Sequence, residues 1–429
     1  MDDLVRTSAV EAAARLARRE LSAERYVRAH LERIEEREPQ VRAFVHIDAA
    51  GVLSAARALD GGPVRGLLHG LPIGVKDIFD TFDMPTQGGC LIYSGHQPAI
   101  DAACVALSRR AGALVLGKTV TAELATFAPN ETRNPLDPAH TPGGSSSGSA
   151  AAVADGMLPL ATGTQTWGSI IRPASFCGVV GFKPTYNLIP KKGVWNSADS
   201  LDTVGVFGRS VADAALFVAG MLDFRDLLVP GAPAVPRIGI CRTLQWERAA
   251  AETKTALENA SGKLAAAGAV VQDIALPGQY ADLLRAQTTV ALWETGHSYA
   301  DECFRNSARL RKALFERCLE GYRIDPAEYQ RAIALGRQCR AMLPDAFAGC
   351  DVLLAPAAAG EAPRGLDWTG DPLFNQVWTF LHTPCVAIPA SHGPNGLPIG
   401  LQVVGRLDDD ARTLHAAHWI ERVLCDRAA

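Results

Sequence analysis

The chain has 429 residues, 48% of them hydrophobic and 21% charged, enough apolar side chain for a packed core and a composition unlike that of a disordered chain. Lys and Arg total 42 against 46 for Asp and Glu, a net charge of -4, and no basic stretch is interleaved with aromatics, which argues against nucleic acid as the main ligand. The ten cysteines include no CxxC pair and the ten histidines no HExxH, so neither a disulfide framework nor a metal site is expected, and the thiols read as buried in a reducing compartment.

The first residues, Met1-Asp-Asp-Leu-Val5, are acidic with no apolar core of a signal segment, and no apolar run reaches the roughly 18 residues that a membrane span needs. A soluble, cytoplasmic protein with no membrane partner is expected. Ser8-Ala-Val-Glu11 is a capping-box pattern, and behind it Val10, Ala13, Leu16 and Ala17 recur at helical spacing. A second amphipathic helix carries Tyr26, Ala29, Leu31 and Ile34 and should end before Pro39. Gly61-Gly-Pro63 marks a turn. From Leu67 the texture changes to short apolar runs bounded by glycines: Leu71–Val75, Ala113–Leu116 and Met157–Ala161 read as strands, separated by Ala-rich helices at Ala102–Ala111 and Ala150–Ala154. After Asp213 the pattern is more helical, with Ala251–Ala267 ending at Gly268 and a long Arg-rich stretch from Ser298 to Met342. Asp351–Ala355, Cys385–Ile388 and Ile399–Val404 again read as buried strands. Strands on both sides of a helical insert predict an α/β fold in which both ends of the chain return to one central mixed sheet covered by helices on both sides. The expected organisation is one domain over 1–429: N-terminal helices (1–60), a core (61–220), a mainly helical region (230–349) and a return to the sheet (350–429).

Gly112-Ala-Leu-Val-Leu-Gly117-Lys118-Thr119 fits the phosphate-loop expression GxxxxGK[ST] letter for letter. A phosphate cradle is a flexible loop that follows a strand and opens a helix, whereas four consecutive apolar residues fill this one and the preceding segment looks helical. Ala113 to Leu116 is therefore assigned to a strand, and nucleotide binding is refused.

Gly143-Gly-Ser-Ser-Ser-Gly-Ser149 has the composition of a flexible linker, yet it opens directly into the helix former Ala150–Ala154. Gly156, an apolar run and a second glycine-rich segment, Gly163-Thr-Gln-Thr-Trp-Gly-Ser169, follow. Gly/Ser backbone at a helix start supplies free N–H groups and hydroxyls facing one spot, and a second such segment one helix and one strand later can bring another hydroxyl near it.

These two segments, continued by Ile170-Ile-Arg-Pro-Ala174, resemble the signature of the amidase signature family of serine hydrolases. Gly70-Leu-Pro-Ile-Gly-Val-Lys-Asp77 is similar to the family's lysine strand, and Gly117–Glu123 with Asn134-Pro135 fit the stretch before the glycine-serine loop. Cys177–Thr185, Asp202–Gly205, Arg209–Asp213 and Gly396–Gln402 match in order, and the likeness is weakest from about Pro230 to Gly349.

The resemblance implies the amidase-signature fold and a serine hydrolase, without metal or cofactor, that cleaves an amide-type C–N bond of a small molecule: an amide, a carbamate or a related group, esters included. Residue by residue, it makes Ser169 the nucleophile, Ser145 a bridging serine held by a cis peptide bond and Lys76 the general base. Spacing alone would not choose Ser145 over Ser146, Ser147 or Ser149. The oxyanion hole would be the backbone N–H groups of Thr166, Trp167, Gly168 and Ser169, with Arg172, Trp167 and Gly144 as candidate substrate contacts. The residue types suit the chemistry, because a serine hydroxyl needs a base, and a lysine serves if desolvation lowers its pKa towards neutrality.

Three departures stand out: Gln165 where many members carry Asp, Trp167 where they carry glycine, and Ile171 at the position of an arginine that here follows as Arg172. The Gln-Thr and Ile-Arg-Pro variants imply a place nearer to the free-standing amidases than to the catalytic subunit of a tRNA-dependent amidotransferase. That subunit remains the alternative, as does a non-catalytic member if Trp167 blocks the oxyanion hole. Arg172 either binds a substrate carboxylate or is a structural ion-pair partner, and Trp167 either shapes the acyl pocket or packs away from it. The leaving-group side is expected around Leu292-Trp-Glu294, His297, Tyr299, Tyr322 and Trp378. The partner implied is a small-molecule amide or carbamate, with no nucleic acid and no membrane; a homodimer is left open.

Overall fold

The structure, a computed structural model, describes residues 2–425. Eleven strands form one sheet: β1 (Phe44–Ile47), β2 (Pro72–Lys76), β3 (Leu114–Thr119), β4 (Leu160–Gln165), β5 (Val180–Lys183), β6 (Thr203–Gly208), β7 (Arg237–Cys241), β8 (Val270–Ile274), β9 (Val352–Pro356), β10 (Cys385–His392) and β11 (Pro398–Gly405). Their order is β1-β3-β2-β4-β6-β5-β10-β11-β9-β7-β8. Pairing is parallel where β2 meets β3 and β4 and where β7 meets β8 and β9, and antiparallel elsewhere. The sheet is thus mixed and flanked by helices, the α/β fold expected. Every residue of β2, β3, β4, β5, β6, β9 and β11 is buried, which explains why these strands are near-continuous apolar or small-residue runs without polar alternation. Among the described residues no helix is long and apolar enough to cross a membrane. All ten cysteines are free thiols, nine of them buried and Cys425 half-buried.

Several local expectations change. The Ser8 hydroxyl does cap its helix, accepting from the Glu11 amide, but the helix Ala9–Ala17 buries Ala9, Ala12 and Leu16 while Val10 and Ala17 face solvent. The second helix does not stop before Pro39 but runs Ala23–Val41. A proline in the last turn costs one hydrogen bond, and the Glu38 carboxylate just before it takes the amides of Ala43 and Phe44 at 3.0 and 2.8 Å, tying off the helix end. The strand read at Met157–Ala161 lies three residues later, because Pro159 has no N–H to give a ladder. Gly163-Thr-Gln165, read as glycine-rich loop, is its second half. The mainly helical region 230–349 also supplies β7 and β8, which lie at one end of the sheet order. The refused phosphate loop is β3, with the Lys118 ammonium buried against the Phe79 carbonyl at 2.7 Å and the Thr86 hydroxyl at 2.6 Å.

The helix Ser147–Ala154 connects the glycine-serine loop to β4 and is buried along its first seven residues. It approaches the sheet so closely that a Cβ on Gly148 would stand 2.2 Å from the Ala43 carbonyl oxygen and 2.4 Å from the Val120 nitrogen. Backbone cannot yield as a side chain can, so one added methyl forces the helix away from β3. Gly148→Ala should therefore lower stability by about 1–3 kcal/mol, read as a fall in the melting temperature of the purified protein.

Candidate active site

Lys76 ends β2, a central strand, and is completely buried. Two threonines on one face of neighbouring β4 serve it, as the period-2 alternation of a strand allows. The Thr162 hydroxyl accepts from the Lys76 backbone N–H at 3.0 Å, and the Thr164 hydroxyl accepts from the side-chain nitrogen at 2.8 Å. The same Nζ donates to Ser145 Oγ at 2.8 Å. Neutral hydroxyls replace some of the lost hydration but bring no negative charge. Burial accordingly pushes the Lys76 pKa down to about 7, with Asp202 opposing the shift.

Ser145 is reached through a cis peptide bond from Gly144, as the sequence resemblance implied. Its loop lies against the turn that carries Ser169: a Cβ on Gly143 would stand 2.8 Å from Pro173 Cα, and the Arg172 guanidinium donates to the Gly144 carbonyl at 2.5 Å. Ser169 itself is only 5% exposed and sits between β4 and the helix Ile171–Cys177. Its hydroxyl makes no hydrogen bond to the described residues. The structure therefore closes the contact between Lys76 and Ser145 and brings the Ser169 turn alongside, with the two serines not hydrogen-bonded to each other.

The turn from Thr166 to Ser169 is held from several sides. Gln165, the first departure, turns its carboxamide oxygen to the amides of Ile170 and Ile171 at 2.9 and 3.0 Å and gives its nitrogen to Thr379 Oγ1 at 3.0 Å. The Thr166 hydroxyl bonds the carboxylate of Asp202, which also takes the Ser197 and Ala198 amides at 2.6 and 3.0 Å. Burial pushes the Asp202 carboxyl up, against these donors. The backbone N–H groups of Trp167, Gly168 and Ser169 donate to nothing among the described residues, so three adjacent donors are left for an incoming oxygen.

Trp167 does not have positive φ. Its half-buried indole packs on the core and meets Phe127 edge-on, centroids 5.3 Å apart. Arg172 is 3% exposed, donates to Thr369 Oγ1 at 3.2 Å as well as to Gly144, and leaves Nε and Nη1 without a partner. No carboxylate among the described residues lies within ion-pair distance of it. Asp371 acts on it only at longer range and is itself paired with Arg248 at 2.9 Å, so burial lowers the Arg172 pKa to about 10. The structural ion pair weighed for Arg172 is thus absent among the described residues. Gly168 is needed beside it, since a Cβ there would meet Asn375 Oδ1 at 2.4 Å and Arg172 Nη1 at 3.2 Å.

On the expected leaving-group side, Trp293 stacks between His297 and Tyr329, with centroids 3.9 and 4.0 Å away, and Tyr322 lies beyond His297 at 5.3 Å. Glu294 is tied to Ser200, and Tyr299 donates to the Leu124 carbonyl at 3.0 Å. Trp378 is buried in the core. Sequence reasoning missed Thr162, Thr164, Asp202 as a clamp on Thr166, Gln287 and Asn375. The two threonines carried a sequence signal, as hydroxyls at alternate positions of a buried strand, and Asp202 opens a matched segment; Gln287 and Asn375 carried none.

Residues 25–414 match the family described as Amidase. The chain belongs to the amidase family. A glutamyl-tRNA(Gln) amidotransferase subunit of Acidothermus cellulolyticus is 35% identical to this amidase, over 100% of this chain and 96% of the relative. The protein of the same description in Myxococcus xanthus is 34% identical over 96% of each chain. Among solved structures, one described as an amidase superposes with a TM-score of 0.90 at 29% identity over 97% of this chain and 100% of that one. The native peptide amidase from Stenotrophomonas maltophilia superposes at 0.84 with 30% identity, over 98% and 97%.

Trp167→Gly should destabilise the amidase by about 1–3 kcal/mol, as expected for a half-buried aromatic and read as a lower melting temperature. The ranking of kcat/KM across a graded acyl series should stay unchanged. A selective gain for bulky acyl groups would instead make the indole a wall of the acyl site.

Proposed function

We propose that this amidase cleaves the C–N bond of a small-molecule amide or carbamate through an acyl-enzyme on Ser169. Ser169 Oγ attacks the carbonyl carbon as its proton passes through Ser145 to the neutral amine of Lys76. The charge on the carbonyl oxygen is met by the free N–H groups of the Thr166–Ser169 turn. The proton returns to the departing amine along the same path, the C–N bond breaks, and water hydrolyses the acyl-enzyme by the same steps. The observation that carries this reading is the buried contact between Lys76 Nζ and Ser145 Oγ, at a nitrogen whose pKa is about 7. Reading Trp167 as a plug that makes the protein non-catalytic loses support, because the indole turns to Phe127.

Ser169→Ala should lower kcat at least about 10³-fold with the fold intact, and a fluorophosphonate should label the peptide that contains Ser169. Because the base must be neutral, kcat/KM should rise with pH through about 7, where Lys76 loses its proton, and not through its ordinary 10.5. A label on another serine, or a profile flat across neutrality at a chemistry-limited step, removes the assignment.

The sequence relatives support a second reading better than the first: those aligned end to end at 34–35% identity are described as a glutamyl-tRNA(Gln) amidotransferase subunit. The chemistry at Ser169 is common to both. The Gln-Thr and Ile-Arg-Pro variants at Gln165 and Ile171-Arg172 favour the free-standing enzyme, which predicts turnover of small amides by the purified chain alone. Activity that appears only with co-purifying proteins and charged tRNA supports the amidotransferase.

We propose further that the substrate carries a carboxylate, with Arg172 as its partner. Arg172 is a buried guanidinium with no ion-pair carboxylate among the described residues and two unpartnered nitrogens, against the Gly144 carbonyl and beside Gly168. An incoming carboxylate would satisfy both the charge and the donors. Arg172→Met should reduce kcat/KM for monoamides of short dicarboxylic acids by about 10–100-fold more than for neutral amides of equal size. Equal losses across the two classes would return Arg172 to a purely structural role.

A further inference from the structure

The helix Leu283–Ser298 lies in the part of the chain where the family likeness is weakest, yet one of its side chains reaches the oxyanion turn. Gln287 is completely buried, and its Nε2 donates to the backbone carbonyl of Thr166 at 3.1 Å. Its Oε1 accepts from Gln376 Nε2 at 2.7 Å, and the Gln376 amide also donates to Thr288 Oγ1 at 3.3 Å. The carboxamide is thus held in one orientation, because a flip would set its oxygen against the Thr166 oxygen and its amide against that of Gln376.

The contact matters because of the peptide plane it grips. The carbonyl of Thr166 and the N–H of Trp167 belong to one peptide unit, which is trans, since the only cis bond among the described residues joins Gly144 and Ser145. In a trans unit the two groups point in opposite directions in one plane, so fixing the carbonyl fixes the direction of the amide. The unit two residues on is governed in the same way: the Gly168 carbonyl accepts from the Arg172 backbone N–H at 3.0 Å, which orients the N–H of Ser169. For Ser169 the grip is a backbone bond from the start of the chain's own next helix. For Trp167 it is a side chain about 120 residues away in sequence.

We infer that Gln287 is a positioning residue for the reaction, which aims the Trp167 N–H into the oxyanion hole by holding the Thr166 carbonyl, with Gln376 as its brace. The inference rests on the acyl-enzyme reading above. Misaiming one donor acts on the transition state and not on the ground state, so the effect falls on kcat and leaves KM alone.

The test uses Gln287→Met, of similar length but with no donor, and Gln376→Leu, which removes the brace and touches neither Thr166 nor the reacting atoms. Gln287→Met should lower kcat about 10–100-fold with KM within about twofold. Affinity for a trifluoromethyl ketone that forms a tetrahedral adduct should fall by the same factor as kcat/KM, and the pH midpoint should stay where Lys76 sets it. Gln376→Leu should give a smaller loss in the same direction and decides the matter if the methionine variant does not fold. Wild-type kcat in a folded Gln287→Met, or in Gln376→Leu when that variant must decide, overturns the inference. A loss that raises KM and weakens substrate and ketone alike also overturns it. Fluorophosphonate labelling of the wild type separates the two levels of failure. A wild type that takes no label at Ser169 overturns the serine reading and this inference with it, whereas a labelled wild type with an indifferent Gln287 overturns the inference alone.

Discussion

Everything in this site depends on keeping one lysine amine out of water. A protonated ammonium in the middle of a buried sheet is costly, and the usual remedy, a carboxylate at contact distance, would hold the proton in place. Here the hydroxyls of Thr164 and Ser145 take that position, and Asp202 acts from further away, occupied with Thr166 and two backbone amides. The result is an amine that loses its proton near neutral pH, and its cost to folding has a definite sign. Because the folded pKa of about 7 lies below the ordinary 10.5, folding expels a proton between those values. The penalty for burying Lys76 is full below about pH 7 and fades as pH rises towards 10.5. Lys118, on the adjacent strand β3, differs in its partners: it is buried with Asp77 at 3.7 Å and three oxygens within 3.3 Å, and Asp77 opposes the downward pull of burial on its pKa.

The departures at 165 and 172 become intelligible as local solutions. A carboxylate at position 165 could accept the two amides that open the helix Ile171–Cys177, but it could not also donate to Thr379. A glutamine does both, and spares the interior a second negative charge near Asp202. With the arginine one residue later in the helix, the guanidinium at 172 reaches the Gly144 carbonyl and stands against Gly168, the chain neighbours of Ser145 and Ser169. In this arrangement positive charge is gathered close to the site, and the nearby acid Asp371 is already engaged by Arg248.

Much of this was legible in the sequence where the physics is local or where a motif fixes residues in order. Lys76 could be placed in a buried strand from its apolar neighbours Ile73 and Val75, and the segment Ala113–Leu116 could be withdrawn from a phosphate loop because apolar residues do not make flexible loops. The glycine-serine run could be set at a helix start from the alanines that follow it. Reading failed where the pattern is weak or the partner distant. β7 and β8 are short, and β8 is only half-buried with Val270 53% exposed, so their apolar runs disappear into the helical region. The length of the Gly163–Gln165 strand was hidden because small residues there serve packing: a Cβ on Gly163 would stand 2.6 Å from the Phe207 ring. Gln287 had no signal at all. A lone glutamine in a helix acquires meaning only from a carbonyl that the fold brings to it.

That last case bears on how the turn at Thr166–Ser169 is held. The helices Leu283–Ser298 and Gln376–Phe380 lie far in sequence from the glycine-serine signature. Yet Gln287, Gln376 and Thr379 on these helices hold the turn on which the oxyanion donors sit. On the first helix Trp293 and His297 stack on each other, and Tyr322 of the helix Lys312–Tyr322 lies beyond His297. Replacing Gln287, Gln376 or Thr379 would break the hold on the turn, because a buried donor or acceptor left alone is expensive. The geometry of the Thr166–Ser169 turn therefore depends on two helices that the signature itself does not contain, through three side chains that each meet the turn or its braces directly.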